Sequence, residues 1–544
     1  MVEIEFQQKT KELIDSLKSI CANYGLGNDG NEFKIITQIF LYKFLNDKFA
    51  FEAKKIDENI AKAESWEETL IQMSEDDLEM LQLQMGADTA RLKPVHFISY
   101  LFSKQNEPDF AKLFDDTLMD IAISNNDVFA VKTDGGTKVV LFERISQYIA
   151  DDSKRDAFCR AIINKLGKFS FERIFTQKFD FYATIFEYLI KDYNSNSGGK
   201  YAEYYTPHAV ARIMAAILVP KDQQGVVQNV TCYDPSAGSG TLLMNVAHAI
   251  GESCCSIYTQ DISQKSSNLL RLNLILNNLV HSIPNVIQGN TVLHPYHKEG
   301  TELKRFDYIV SNPPFKMDFS DFHKDLDSKE NKERFFAGIP KIKPKATDKM
   351  EIYQLFLQHI IYSLKKHGKA AVVVPTGFIT AQSGIDKKIR QKLVDKKMLA
   401  GVVSMPSNIF ATTGTNVSIL FIDDSNRGDV VLIDASNFGQ KIKEGKNQKT
   451  VLTVEEEQCI IDVFNDKEER EDFSVAVSYE DIAEKNYSFS AGQYLDVKIE
   501  YVDITPREFS LKMKGFGERL DSLCSQSRKL EVEIKKQLAG MKCE

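Results

Sequence analysis

The stretch RFDYIVSNPPFKMD, residues 305–318, ends a short apolar run in Asn312-Pro313-Pro314-Phe315. Two prolines fix φ and carry no N–H, so the backbone there is rigid and presents carbonyls only. Asn312 adds a side-chain carbonyl as a further acceptor. Two acceptors aimed at one point hold an –NH2 group through both hydrogens, which turns the nitrogen lone pair away from the ring that carries it. Phe315 supplies a flat face on which a planar heterocycle stacks. The combination suits an exocyclic amine about to act as a nucleophile. No general base is required before attack, because the proton leaves once the nitrogen carries positive charge. The alternative is a plain strand-ending turn, since proline cannot donate to a sheet ladder.

A second set begins at VTCYD, an apolar run followed by Asp234-Pro235-Ser236-Ala237-Gly238-Ser239-Gly240-Thr241 and the helical pattern LLMNVAHAI. Glycines at such a place permit a tight turn and close approach of a ligand to the backbone. The helix that follows starts with free N–H groups. The loop lacks GxGxxG and the lysine of a phosphate-binding loop, so a dinucleotide or a nucleoside triphosphate is not its natural ligand. The next run, SIYTQD, ends in Asp261, about 20 residues past the loop, where an acid accepts both hydroxyls of a ribose. A nucleoside without phosphate fits both features. A tight structural turn and a helix N-cap are the plainer readings of the loop and of Asp261.

Both sets need strands to position them. From about residue 205, strand-like runs (VTCYDP, SIYTQDI, YIVSNPP, KAAVVVPTGF, LAGVVSMP, VSILFIDD, VVLIDAS) alternate with helical patterns such as QKSSNLLRLNLILNNL and MEIYQLFLQHIIYSLKKHG. This predicts an open, largely parallel α/β sheet with helices on both faces, whose ligands bind at the carboxyl ends of the strands. The first 170 residues repeat apolar positions at three- and four-residue spacing and read as a helical region, with an exposed helix-and-loop stretch at 64–88. Two charged stretches, 316–349 and 441–449, read as exposed insertions. The segment from about 505 to 544 reads as a charged helix. In it Leu520, Leu523, Leu530 and Ile534, with Ser527 as a polar interruption, trace a narrow coiled-coil seam. The expected division is 1–170, 171–500 and 501–544.

The formal net charge of −9 points to no global attraction to nucleic acid, although IPKIKPKATDK, DKKIRQKLVDKK and KIKEGKNQK are candidate phosphate contacts as well as ordinary solvated faces. The eight cysteines show no CxxC spacing, which points to reduced thiols of a cytosolic protein and to no metal framework. No signal peptide and no membrane span is expected. His208 and His359 lie in helical patterns and read as structural.

DPSAGSGT and NPPF together resemble the S-adenosylmethionine-dependent methyltransferases that modify the exocyclic amine of adenine in DNA. FDFYATIFEYLIKDY, GGKYAEYYTPHAVARIM, KAAVVVPTGF and SFSAGQYL, in that order around them, are similar to the modification subunits of Type I restriction-modification systems. The resemblance implies a Rossmann-like catalytic sheet between an N-terminal helical domain and a C-terminal helical tail for subunit assembly. It implies that Tyr204, Thr206 and Pro207 hold the methionine end of the cofactor, that Asp234, Ser236, Gly238, Ser239 and Gly240 form the cofactor loop, and that Asp261 takes the ribose. Asn290 stands where the family usually places an acid against the cofactor's adenine. Asn312, Pro313, Pro314 and Phe315 are implied to hold a flipped adenine. The implied partners are double-stranded DNA, a specificity subunit flanked by two copies of this chain, and a helicase-nuclease restriction subunit. A methyltransferase acting on protein glutamine shares the tetrapeptide but usually carries Tyr as its fourth residue, so Phe315 favours DNA.

Overall fold

The computed structural model describes residues 2–27, 30–172, 175, 206–410, 416–444, 447–495 and 505–540. The helix expected over FDFYATIFEYLIKDY and the residue Tyr204 lie outside these. The chain forms two compact units, Met1–Leu495 and Asp496–Glu544.

In the first unit the strands, in chain order, are β1 (Val131–Thr133), β2 (Lys138–Val139), β3 (Val230–Asp234), β4 (Cys255–Asp261), β5 (Val286–Gln288), the small hairpin β6 (Lys298–Glu299) and β7 (Glu302–Leu303), β8 (Phe306–Ser311), β9 (Leu364–Pro375), β10 (Leu399–Ser404), β11 (Val417–Asp423), β12 (Val430–Asp434), the hairpin β13 (Gln440–Glu444) and β14 (Asn447–Val451), and β15 (Ser474–Val477). One sheet has the order β15-β12-β10-β11-β9-β8-β3-β4-β5-β1-β2. The centre, β9-β8-β3-β4-β5, is parallel, and antiparallel pairs with β11, β15 and β2 finish the two sides. Each expected strand run occupies a strand of this sheet.

Both faces of the sheet are buried, and the period of two divides the side chains between two cores. Along β9, Ala371 and Val373 enter the core that also holds Cys232 of β3 and Val310 of β8. Ala370, Val372 and Val374 enter the other, with Tyr233 and Ile309. From β3 the chain proceeds outward through β4 and β5, whereas β8 returns to the other side of β3. The order reverses between β3 and β8, and a crevice forms there at the carboxyl ends. Asp234 ends β3 and Asn312 follows β8, so the topology brings both motifs to one crevice.

Three features differ from expectation. The N-terminal region is mostly helical, with helices Val2–Asn23 and Gly30–Ile56, but it also contributes β1 and β2 to the sheet. Arg271, buried on the helix Gln264–Leu276, fastens this hairpin by donating to the carbonyls of Phe129, Val139, Val140 and Leu141. Second, 316–349 is not a loose insertion. Phe319, Leu326 and Phe335 pack with Val292, Met350 and Leu355 in a small core of their own. Arg334, 2% exposed, ties the segment down by donating to the carbonyls of Thr291 (2.7 Å) and Val292 (2.8 Å). Third, the helix begun at Tyr353 ends at Tyr362, and the expected helical residues beyond it already run in β9.

Two stretches that carried the resemblance meet in space. The amide of Phe489, in SFSAGQYL, donates to the carbonyl of Ile379, just past KAAVVVPTGF (2.9 Å). The described part of the second unit is one helix, Pro506–Gly540, on which Leu520, Leu523, Leu530 and Ile534 are exposed. Among the described residues no helix is long and apolar enough to cross a membrane.

Candidate active site

The loop after β3 is built around Asp234. Its Oδ1 accepts from the backbone N–H of Ser236 (2.9 Å) and from the hydroxyl of Ser311 (3.0 Å), the last residue of β8. The Ser236 and Ser311 hydroxyls are 2.7 Å apart. Burial pushes the Asp234 carboxyl up to about 7; the hydrogen bonds from Ser236 and Ser311 oppose the rise and the nearby Asp261 adds to it. Gly240 closes the loop with φ of +84°, a left-handed conformation, and caps the helix Thr241–Ile250. The left-handed turn is what favours glycine; a Cβ there would also stand 2.2 Å from Leu270 Cδ1 and displace the tip of that side chain.

Asp261, at the end of β4, does not cap the helix that follows; Ser263 does, accepting from Ser266 N–H. Asp261 instead holds two backbone segments together. Its Oδ2 accepts from Gly238 N–H (2.9 Å) and its Oδ1 from Ser263 N–H (2.8 Å). Each oxygen keeps a second lone pair for a ligand hydroxyl. Burial raises its pKa against these two bonds. The oxygen of Asn290 accepts from the N–H groups of Val292 and Leu293, both at 3.1 Å.

At the end of β8 the side chains alternate. Ser311 turns to Asp234, and Asn312 turns the other way, where its Nδ2 donates to Thr206 Oγ1 (3.2 Å). Phe315 meets the ring of Tyr353 edge to face at 6.2 Å. Tyr353 in turn donates its hydroxyl to the Asp386 carboxylate (2.8 and 2.9 Å), which also accepts from Gln354 Nε2 (2.7 Å). Beneath the site a buried chain runs Arg334 Nε to His359 Nδ1 (3.0 Å) and His359 Nε2 to Tyr233 Oη (3.1 Å). Because the guanidinium donates to Nδ1, the proton of His359 sits on Nε2. Burial holds this imidazole neutral, consistent with the structural role expected of it.

One cavity of about 700 Å³ joins the two motifs, within the range of small-molecule sites. Thr206, Asp234, Ser236, Gly238, Ser239, Asp261, Asn290, Asn312, Pro313, Pro314 and Phe315 all line it. Pro207 does not; it is buried at the N-terminus of the helix His208–Leu218. Gly240 acts from behind, as the turn. Tyr353, Phe378, Asp386 and Phe410 also line the cavity, and Ser311 supports it from beneath. Ser311 and Phe378 lie in stretches already singled out, YIVSNPP and KAAVVVPTGF, but carried no role of their own there; Tyr353, Asp386 and Phe410 belong to no strand run and to no catalytic or cofactor motif.

The basic stretches fare differently. On the helix Gly384–Asp395 the central Arg390 is buried and donates to the carbonyls of Tyr487, Phe378 and Ala381, a structural role. Lys343 pairs with Glu351 (3.0 Å), a cavity residue. The hairpin β13–β14 is fastened beside Phe410 by Thr450, which donates to the carbonyls of Ser407 and Asn408.

Comparison with known proteins finds relatives in both sequence and fold. The chain is 29% identical over 367 residues to the Type I restriction enzyme MpnII methylase subunit of Mycoplasma pneumoniae, covering 65% of this chain and 63% of that one. It is 27% identical over 397 residues to the MjaIX methylase subunit of Methanocaldococcus jannaschii, covering 70% and 66%. The match thus spans just under two thirds of these relatives. In fold it is similar to the Type I restriction-modification methyltransferase subunit from Streptococcus thermophilus, with a TM-score of 0.70 at 22% identity over 90% of this chain and all of that one. Residues 177–501 match the N-6 DNA methylase family, and the chain belongs to that family.

Proposed function

We propose that this chain transfers a methyl group from S-adenosylmethionine to the exocyclic N6 amine of adenine in duplex DNA, as the modification subunit of a Type I restriction-modification complex in the cytoplasm. The observation that carries the reading is the Asn312-Pro313-Pro314-Phe315 corner opening into the same cavity as the Asp234 loop and Asp261.

The residues fit the cofactor. The lone pairs left on the Asp261 carboxylate suit ribose hydroxyls, and the turn at Gly238–Gly240 lets a ligand come close to the backbone. When bound, S-adenosylmethionine supplies an electrophilic methyl group on a sulfonium sulfur. The chain's own residues prepare the amine. Asn312 Oδ1 and a carbonyl of the proline pair accept its two hydrogens and turn its lone pair outward. Phe315 holds the base by stacking, and Tyr353 braces Phe315 from its edge. The amine's proton leaves after the nitrogen has become cationic.

Incubation of the assembled complex with radiolabelled cofactor and DNA tests the reading. Label is expected in N6-methyladenine. Asn312→Ala is expected to abolish transfer while calorimetric cofactor affinity survives. Label in protein glutamine, or none in DNA, would refute the proposal.

The partners belong to the same proposal. Two copies of this chain flank a specificity subunit that chooses the DNA sequence, and a helicase-nuclease subunit cleaves. The exposed apolar stripe of the helix Pro506–Gly540 supports a helical partner. Deleting the residues after Asp503 is expected to leave a cofactor-binding protein that no longer co-purifies with the specificity subunit.

A further inference from the structure

A primary amide has two unlike ends, and only one of them serves an amine. Asn312 Oδ1 can accept an amine hydrogen; its NH2 group would meet that amine donor to donor. A half-turn about the last side-chain bond exchanges the two ends at little steric cost, so something outside Asn312 must choose between them. The prolines that follow have no N–H to give Oδ1, and the carbonyl they offer is the one assigned to the amine. Within the site, the group that meets the NH2 end is the hydroxyl of Thr206, at 3.2 Å from Nδ2. Thr206 comes from a distant part of the chain and is 7% exposed, in the wall of the same cavity.

We infer that Thr206 is a positioning residue for methyl transfer, whose hydroxyl oxygen accepts from Asn312 Nδ2 and thereby aims Asn312 Oδ1 at the target amine. This goes beyond the cofactor-holding role that the family resemblance implies for Thr206. The two reinforce each other: a hydroxyl can serve either end of an amide, but once its single hydrogen is given to a ligand it can only accept, which fixes the NH2 end of Asn312 against it. The inference rests on the methyl-transfer reading of the site. It also accounts for one aspect of the fold: the start of the helix His208–Leu218 is held against the end of β8, and Thr206 is the side chain that spans the gap.

The test uses the full-length chain assembled with the partner that gives it sequence specificity. Thr206→Val keeps the shape and removes the hydroxyl; Thr206→Ser keeps the hydroxyl. With cofactor and DNA both saturating, kcat of Thr206→Val is expected to fall about 10- to 100-fold, the scale of a misplaced hydrogen-bonding group. The KM for DNA should stay within about threefold, since DNA binding does not use this bond, and Thr206→Ser should recover most of kcat. Thr206→Ala serves as the second variant should Thr206→Val fail to fold, with the same loss expected and melting temperature as the control for folding. Unchanged kcat in Thr206→Val, or a defect that saturating cofactor abolishes, would overturn the inference while leaving the functional reading intact. A wild-type complex that does not methylate adenine would overturn the functional reading and the inference with it.

Discussion

Ser311 donates a 3.0 Å hydrogen bond to Asp234, so the residue before Asn312, the proposed holder of the amine, is fastened to the loop expected to hold the cofactor. Parallel pairing of β3 with β8 brings the two within reach, and the bond then locks the ends of the strands together. Ser311→Ala removes one donor to a buried carboxylate. Loss of such a bond costs about 1–3 kcal/mol. Cofactor affinity measured by calorimetry on the full chain is expected to weaken by roughly tenfold. Equal affinity in the variant would show that the loop holds its shape without β8.

Phe315 and Tyr353 form the second such pair. Phe315→Ala removes the stacking face, at about 1–3 kcal/mol per base–aromatic contact. The fluorescence of 2-aminopurine at the target position should drop accordingly. Tyr353→Phe keeps the ring and deletes the bonds to Asp386. It is expected to give a smaller loss of the same signal, and a loss as large as that of Phe315→Ala would mean that the hydroxyl itself meets the base.

The Asp234 carboxyl titrates at about 7 in the folded chain because of its burial. A carboxyl whose folded pKa lies above its ordinary value of 3.8 contributes stability that is complete at acid pH and is lost as the pH rises through about 7. The stability of the native protein relative to Asp234→Asn should therefore decline from about pH 4 to about pH 7. Fully expressed, the shift amounts to about 4 kcal/mol, at about 1.4 kcal/mol per unit. Denaturant melts across that window measure the slope; a flat difference would mean that the hydrogen bonds from Ser236 and Ser311 offset the burial.

Arg271→Met keeps an apolar stem of similar length and deletes the donors to four carbonyls of the β1–β2 hairpin and its flanks. Buried acceptors left unpaired cost about 1–3 kcal/mol each, partly recovered by water. A total loss of roughly 3–5 kcal/mol is expected in urea melts. Hydrogen exchange should localise the loosening to 129–141.

The chemistry-bearing stretches were readable because each sits where a strand stops. An apolar run followed by Asp234 or Asn312 carries its own address in a parallel sheet. The contacts that hold those stretches together were not readable, even where a residue such as Thr206 had been singled out for the cofactor. Thr206 lies 106 positions from Asn312 and Ser311 lies 77 from Asp234, and no local pattern links them. The segment 316–349 misled for a different reason. Its charge density resembles a solvated loop, while Phe319, Leu326 and Phe335 follow no period, and the residue that anchors it is itself a cation, Arg334. Strands of two and three residues, such as β2 and β1, are too short for alternation to register against the helices around them.

The parallel pairing of β1 with β5 bears on how the protein is made. Lys132 faces Ile287, about 150 residues later in the chain. At ribosomal rates of about 5–20 residues per second, β1 waits roughly 8–30 s before its neighbour exists. For that interval the nascent N-terminal region carries a strand edge with nothing to pair with, the kind of surface that recruits other chains. The helical beginning and the catalytic sheet therefore mature together, and a chain cut between them would leave each piece with an open edge complementary to the other.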